Sequence, residues 1–143
     1  MKLFDHLIKK RVEITRVDGL LFPIFLVESP MNDFVCLSFK IERGWGNGYI
    51  GLPSWHPYYK IDYDSIPVSC HGGLTFGQLD EDEDLWVIGF DTAHSGDNKI
   101  RWSKSAVEKE CKHIEEQCTN VKEAQRSVKL KKIAKINKSR KTR

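Results

Sequence analysis

The alternation of apolar and polar side chains predicts several β-strands in the first third of the chain. Residues 12–17 alternate, Asp18 and Gly19 are typical of a turn, and residues 20–27 are again apolar, which together predict a β-hairpin. Pro23 interrupts the second run and predicts an edge strand or a bulge, because proline cannot donate a hydrogen bond to a neighbouring strand. Residues 34–42 alternate once more and predict a third strand with one buried face.

Glycine and acidic residues separate further strands in the middle of the chain. Residues 44–53 contain four glycines and predict a bent loop that leads into the next strand. Residues 66–70 and 85–90 predict two more short strands, and the five consecutive acids at 80–84 predict a solvated turn. We expect the strand at 85–90 to pair antiparallel with residues 68–76 across that turn.

The pattern changes to a helical period after residue 104. Ser105 and Glu108 have the spacing of a capping box. Apolar residues then recur at alternating four- and three-residue steps, which predicts an amphipathic helix of about six turns; they are Val107, Cys111, Ile114, Cys118, Val121, Ala124 and Val128. The sequence therefore predicts an α+β fold: a mainly antiparallel sheet of five to seven strands, with one long C-terminal helix packed on a face.

Length and charge divide the chain into one domain and a tail. At 143 residues the chain fits a single domain over residues 1–128. Residues 129–143 contain eight basic residues and no acid, so the rest carries five more acidic than basic residues although the whole chain is +3. This composition predicts a flexible basic tail that makes weak, nonspecific contact with nucleic acid. An antiparallel sheet also leaves strand edges, so we expect a homo-oligomer.

Hydropathy and cysteine content bear on the cellular compartment. No apolar run approaches the roughly 20 residues of a membrane span, and the first residues lack the apolar core of a signal peptide. We therefore expect a cytoplasmic protein with no membrane partner and with free thiols. The spacing of Cys111 and Cys118 indicates core packing. Cys70 is adjacent to His71, but neighbours on a strand point to opposite faces, which argues against a cysteine nucleophile.

Two glycine-rich segments carry the residue types of a functional site. The first contains His71, Gly72, Gly73 and Thr75, and the second follows the strand at 85–90. Glycine allows positive φ and lets the backbone come close to a ligand, and loops just past strand ends often carry function. The second segment provides Asp91, His94, Asp97 and Asn98. We predict that His71, Asp91 and His94 form a catalytic group.

These segments also carry a resemblance. The pattern His71-Gly72-Gly73-Leu74-Thr75-Phe76, followed by Gly89-Phe90-Asp91-Thr92-Ala93-His94-Ser95-Gly96-Asp97, resembles a family of small, mostly uncharacterised proteins of bacteriophages and prophages. The likeness covers roughly residues 45–115 and includes Tyr49 and His56. It implies a phage-encoded protein in the host cytoplasm and makes a role against nucleotide signals of host immunity plausible.

Four kinds of chemistry suit these residues. His71, Asp91 and His94 could bind a divalent metal, with Asp97 or His56 completing the set, although no established ligand motif is present and no cofactor is expected. Two histidines could instead share acid and base roles in phosphodiester cleavage, with a phosphate on Thr75 and the amides of Gly72 and Gly73. A pocket that only binds is the third possibility, and simple stitching of loops by hydrogen bonds is the fourth.

A wider set of residues would contact the ligand. Aromatic residues would stack on it and polar loop residues would bind it; the predicted ligand-binding set is Gly72, Gly73, Thr75, Trp55, His56, Tyr49, Asp97 and Asn98. We expect a protein that acts on a nucleotide or a nucleotide-derived signal such as a cyclic nucleotide, with hydrolysis of phosphodiester type slightly favoured. The alternatives are a non-catalytic nucleotide sponge and an inhibitor of a host protein.

Overall fold

A computed structural model describes residues 14–29, 34–36 and 39–121 of the chain. Within these residues the chain forms seven strands, one α-helix and a short 3-10 helix at Tyr63–Ser65. In chain order the elements are β1 (Ile14–Asp18), β2 (Pro23–Glu28), β3 (Phe34–Cys36), β4 (Phe39–Ile41), β5 (Gly46–Pro53), β6 (Phe76–Asp80), β7 (Leu85–Phe90) and α1 (Lys104–Thr119). The predicted tail at 129–143 lies outside the described residues.

Five of the strands form one antiparallel sheet in the order β1-β2-β5-β7-β6. Helix α1 packs on β5 and β2. The predicted α+β fold, a mainly antiparallel sheet covered by a C-terminal helix, is therefore confirmed. Strands β3 and β4 pair with each other in a separate hairpin.

The sheet is buried on both faces by the alternation of its side chains. On the face that α1 covers, strand residues form a core with one stripe of the helix: Ile24, Leu26, Ile50, Leu52, Ile88 and Phe90 with Val107, Cys111, Ile114 and Cys118. Phe25, Val27, Tyr49 and Val87 form a second buried cluster. Their positions alternate with those of the first core, which places the second cluster on the opposite face.

Close contact between sheet and helix depends on Gly48. A Cβ atom at this position would lie 2.3 Å from Cys111 Sγ and 2.7 Å from the ring of Phe90. The glycines at 46 and 48 belong to strand β5, and not to the bent loop that the composition predicts. Absence of a side chain at position 48 lets the helix approach the sheet.

Three strand predictions are wrong in detail. Pro23 is the first residue of β2, an inner strand between β1 and β5, where a proline at the strand start removes little pairing. In place of one strand at 34–42, Phe34–Cys36 and Phe39–Ile41 are two short strands that pair with one another. Residues 66–70 form no strand: across the acidic turn β7 pairs with β6, which begins at Phe76.

The acidic turn between β6 and β7 is only partly solvated. Glu81, Asp82, Glu83 and Asp84 are exposed, as predicted, but Asp80 is 1% exposed. Burial raises the pKa of Asp80, and the nearby amide of Asp82 opposes part of that change. Asp80 is the last residue of β6 and pairs with Leu85, so it belongs to the sheet and not to the exposed turn.

The N-cap of helix α1 lies two residues before the predicted one. Ser103 is the N-cap, and its Oγ accepts a hydrogen bond from the amide of Ala106 at 3.3 Å. The helix ends at Thr119, and the predicted positions beyond Val121 lie outside the described residues. In the described part of the chain, no helix has the length and apolarity needed to cross a membrane.

A buried glutamate joins the helix to the β1–β2 turn. The carboxylate of Glu115 is 2% exposed and accepts hydrogen bonds from the amides of Leu20, Leu21 and Phe22 at 2.9, 3.3 and 3.0 Å. Gly19 makes this approach possible, because a Cβ atom there would lie 1.8 Å from Glu115 Oε2. The hydrogen bonds of the turn are thus completed by a side chain from the helix.

Candidate functional site

The two glycine-rich segments meet where β7 ends. Pairing of Phe76 with Gly89 brings the chain before β6 alongside the chain after β7. The Thr75 amide donates to the carbonyl of Gly89 at 2.9 Å, and the Thr75 hydroxyl donates to Asp91 Oδ2 at 3.1 Å. The structure therefore brings together the four residues that we name the histidine cluster: His71, Asp91, His94 and Asp97.

His71 is held by a buried carboxylate. Its Nε2 atom donates to both oxygens of Asp97, at 2.8 and 2.9 Å, and Asp97 is 4% exposed. Asp97 Oδ2 also accepts the backbone amide of His94 at 2.9 Å. Nε2 carries the proton that is donated to Asp97, so the lone pair of the neutral imidazole is on the other nitrogen, Nδ1. Nδ1 is therefore the nitrogen that can accept a proton.

His94 lies beside the second carboxylate. Asp91 Oδ1 is 3.1 Å from His94 Nε2, but the two atoms are not aligned for a hydrogen bond, so their contact is chiefly Coulombic. Asp91 is itself fixed, since Oδ1 accepts the amide of Ala93 at 3.0 Å and Oδ2 accepts the Thr75 hydroxyl.

The two imidazole rings lie close together against a tryptophan. Their centroids are 5.3 Å apart with an interplanar angle of 81°, and the ring of His71 stacks on Trp102 at 4.1 Å. The side chains of His71 and His94 are 23% and 36% exposed. The cluster is therefore ordered by packing on one side and open to solvent on the other.

Two glycines shape the first segment. Gly72 and Gly73 have φ values of +69° and +78°, which favour glycine. A Cβ atom on Gly72 would lie 2.2 Å from His94 Nε2, whereas one on Gly73 would meet nothing within 4 Å. The amide of Gly73 donates to the carbonyl of Cys70 at 3.0 Å. Gly73 could bind a phosphate through its amide only by opening this turn.

Hydrogen bonds to backbone fix the second segment as well. The carbonyl of His94 accepts the amide of Asp97, and Asn98 Oδ1 accepts the amides of Ile100 and Arg101. The buried Thr92 hydroxyl donates to the carbonyl of Gly46 at 2.7 Å. Asn98 thus shapes the turn before Trp102.

Two aromatic residues of the predicted ligand-binding set, Trp55 and His56, lie apart from the cluster. His56 is 3% exposed and bonded at both nitrogens: Nε2 donates to the Cys118 carbonyl and Nδ1 accepts the Tyr58 amide. Trp55 packs on the same core, near Phe22. Cys118 is in the last turn of α1, whereas Trp102, beside the cluster, precedes its first turn. This pair therefore marks the opposite end of the helix.

Tyr49 is buried within the sheet. Its ring is edge-on to Phe76 at 5.1 Å, and its hydroxyl accepts a hydrogen bond from Asn47 Nδ2 at 3.2 Å. Burial raises the pKa of Tyr49, the Asn47 hydrogen bond lowers it, and the charge of Asp91 raises it further. The charge of Asp91 therefore acts on Tyr49, but the buried ring cannot stack on a ligand without leaving its packing.

The thiols and possible metal ligands were further candidates. Burial raises the pKa of Cys70 to about 11, with a smaller contribution from Glu110, which disfavours the nucleophilic thiolate. Cys111 and Cys118 are buried in the core, as predicted. Across residues 14–29, 34–36 and 39–121, no three His, Cys, Asp or Glu side chains are arranged to hold a metal ion.

A small cavity adjoins the cluster. It has a volume of about 240 Å³, and its lining includes Ser29, Arg43, Asn47, Asp91 and Ala93; we name it the Arg43 cavity. Asp91 and Ala93 belong to the same turn as His94. Sequence patterns did not single out Arg43 or Trp102, since each is an isolated residue in a loop and is brought to the site only by tertiary structure.

No protein-family model matches this chain, and neither a curated protein nor a solved structure is significantly similar to it. The chemistry of the histidine cluster must therefore be inferred from its own geometry.

Proposed function

We propose that the protein is a hydrolase that cleaves a phosphoester bond in a nucleotide-derived ligand. The observation that carries this proposal is the pair of imidazole–carboxylate contacts, His71 with Asp97 and His94 with Asp91. The centroids of the two imidazole rings are 5.3 Å apart. Two neighbouring imidazoles can exchange protons with one substrate group, and imidazole can serve as acid or base near neutral pH.

In the proposed reaction His71 is the general base and His94 the general acid. Nδ1 of His71 accepts a proton from water, whose oxygen attacks phosphorus, while the imidazolium of His94 gives a proton to the oxygen that leaves. One P–O bond forms and one breaks, with no change of oxidation state. Asp97 holds His71 in the required tautomer, and Asp91 lies 3.1 Å from His94 Nε2. These carboxylates thus have the positioning role that such partners have in histidine sites.

Support for a nucleotide-derived ligand, and for action in the cytoplasm of a phage-infected host, comes from the resemblance of the His71–Phe76 and Gly89–Asp97 patterns to phage proteins. Anti-defence activity against a cyclic nucleotide signal would suit that origin. A homo-oligomer and weak contact of the basic tail with nucleic acid remain part of the proposal. Binding without turnover, as in a nucleotide sponge, is the second candidate function. Asp97 and Trp102 also stabilise the loops, and that role requires no reaction.

Analysis of returned ligand distinguishes these functions. The full chain is incubated with cyclic dinucleotides and with ADP-ribose, then heated, and the released small molecules are analysed. Altered ligand supports hydrolysis, whereas bound ligand that returns intact supports a sponge. His113→Gln is the matched control for His71→Gln and His94→Gln, because His113 is exposed on α1. If neither ligand binds or changes, both functions are contradicted and inhibition of a host protein becomes the better proposal.

A further inference from the structure

Trp102 lies between the histidine cluster and the hydrophobic core. Its ring stacks on the imidazole of His71, with centroids 4.1 Å apart and an interplanar angle of 30°. The ring of Phe90, buried at the end of β7, lies at 6.2 Å from the indole in an edge-on arrangement. Trp102 is itself partly buried against the core that α1 covers. The imidazole of His71 therefore rests on a side chain that is anchored in the core.

The backbone of Trp102 is fixed from several directions. Its amide donates to the carbonyl of Asn98 at 2.9 Å, and its carbonyl accepts the amide of Trp45 at 2.7 Å. Gly44 lies so close that a Cβ atom there would be 2.7 Å from Trp102 Cβ. The next residue, Ser103, is the N-cap of α1. Because neighbouring segments hold its backbone and the core holds its ring, Trp102 provides a rigid flat surface.

The hydrogen bonds of His71 leave one feature of its ring undetermined. Both oxygens of Asp97 contact the same ring atom, Nε2, at 2.8 and 2.9 Å. These contacts fix the position of that atom but not the plane of the imidazole. Stacking on a flat indole face fixes the plane, because only a ring that lies along that face makes full contact with it. The direction of Nδ1 thus depends on Asp97 and Trp102 together.

The plane of His71 also determines how the two imidazoles face each other. The rings of His71 and His94 meet at 81°, with centroids 5.3 Å apart. Rotation of His71 away from the indole would change this angle and turn Nδ1 away from a substrate group that both histidines reach. A general base must lie within hydrogen-bonding distance of the proton it takes, and a misplacement of about 1 Å can cost about 100-fold in rate.

We propose that Trp102 is a positioning residue for the proposed general base: its indole face sets the plane of the His71 imidazole and so the direction of Nδ1. In this role Trp102 acts through His71 and transfers no proton. The inference rests on the proposed phosphoester hydrolase, but its geometric part is tested without turnover.

Three substitutions separate the flat face from apolar bulk. Trp102→Phe keeps an aromatic face, and Trp102→Leu keeps apolar volume without one. Trp86→Leu is the matched control, because Trp86 is also partly buried against the core but lies near the start of β7, away from the cluster. We expect Trp102→Leu to lower kcat for phosphodiester cleavage by at least about tenfold, with less than about a twofold change in KM. Trp102→Phe should recover most of this loss, and Trp86→Leu should lose only melting temperature.

Nuclear Overhauser contacts between ring protons measure the geometry without a substrate. In the full wild-type chain we expect contacts of His71 with both Trp102 and His94. The contacts between the two histidines should persist in Trp102→Phe and in Trp86→Leu. They should weaken or vanish in Trp102→Leu, because nothing flat then holds the plane of the imidazole.

These measurements distinguish failure of the hydrolase from failure of the positioning role. Wild-type protein that cleaves no phosphodiester contradicts the hydrolase, whereas the Overhauser contacts still decide the role of Trp102. That role is overturned if wild-type His71 shows no contact with Trp102, or if the two histidines keep their contacts in Trp102→Leu. In an active enzyme it is also overturned if Trp102→Leu keeps the wild-type kcat, or if Trp102→Phe loses as much. Should Trp102→Leu fail to fold, Trp102→Met replaces it with the same expectations, since its flexible side chain also lacks a flat face.

Discussion

Asp97 holds His71 through both carboxylate oxygens, at 2.8 and 2.9 Å from Nε2, although the two residues are 26 positions apart in the chain. The same carboxylate accepts the backbone amide of His94 at 2.9 Å. One buried acid thus positions both histidines of the proposed reaction. This arrangement joins the segment before β6 to the segment after β7.

Asp97→Asn should lower turnover more than it lowers substrate affinity. The amide keeps the shape of the carboxylate but loses the charge and one acceptor, so the tautomer and orientation of His71 are less well held. We expect kcat to fall by about 10- to 100-fold, with a loss of about 1–2 kcal/mol in the free energy of unfolding. Steady-state kinetics and urea unfolding on one preparation test this. Unchanged kcat in a folded variant would show that Asp97 only stabilises the loops.

Gly72→Ala and Gly73→Ala form a matched pair. Both place a side chain at positive φ, which costs about 1–2 kcal/mol, but only the methyl group at position 72 would collide with the imidazole of His94. We expect Gly72→Ala to lose activity and Gly73→Ala to lose only stability. Melting temperature and turnover measured on both variants test this. Equal turnover in the two would mean that the position of His94 does not matter for function.

Glu115→Gln should destabilise the fold. It replaces a buried carboxylate that accepts three backbone amides with a group that has one acceptor oxygen and an NH₂. We expect the free energy of unfolding to fall by about 2–3 kcal/mol. Glu116→Gln, at an exposed position on the same helix, should change it by less than about 0.5 kcal/mol. Similar losses in the two variants would argue against the anchoring role of Glu115.

Much of the fold could be predicted because burial imposes a regular period. The stripe Val107, Cys111, Ile114 and Cys118 is buried as its spacing predicts, and the continuous apolar runs of β2 and β7 are buried on both faces. Which strands pair with each other was less predictable, because a strand shows the same alternation of apolar and polar residues whichever strand lies beside it. Residues 66–70 have the composition of a strand, yet the Ser69 backbone is held by the Gln117 side chain.

The candidate site was predictable in its residue types and not in its boundaries. Polar residues beside positive-φ glycines pointed to His71, Asp91 and His94, which the structure brings together. Asp97 was predicted as a ligand contact, whereas it is buried as the partner of His71. Trp55 and His56 were predicted as ligand contacts from their residue types. Packing against Phe22 and Cys118, which are distant in sequence, buries His56 and partly buries Trp55.

Acidification should destabilise the protein through His56. Burial lowers the pKa of this imidazole from its ordinary value of 6.5, and the hydrogen bond to the Cys118 carbonyl opposes part of that change. The unfolded chain therefore takes up a proton that the folded chain does not, and stability is lost as pH falls below about 6.5 toward the lower folded value.

Urea unfolding at several pH values measures this dependence. His56→Gln should be less stable at neutral pH and should lose part of the pH dependence, whereas His113→Gln, on the exposed face of α1, should keep it. The same pH dependence in His56→Gln and the wild type would show that His56 is not its source.

The most direct test of the proposed acid–base pair is the rate of phosphodiester cleavage in wild type, His71→Gln, His94→Gln and the double variant. The account predicts that each single variant loses at least about 100-fold in kcat. The double variant should be little worse than the more damaged single variant, because the two groups act in one step. All four should melt within a few degrees of each other. Wild-type protein that leaves every phosphodiester intact, or single variants that cleave at the wild-type rate while melting lower, would contradict the account.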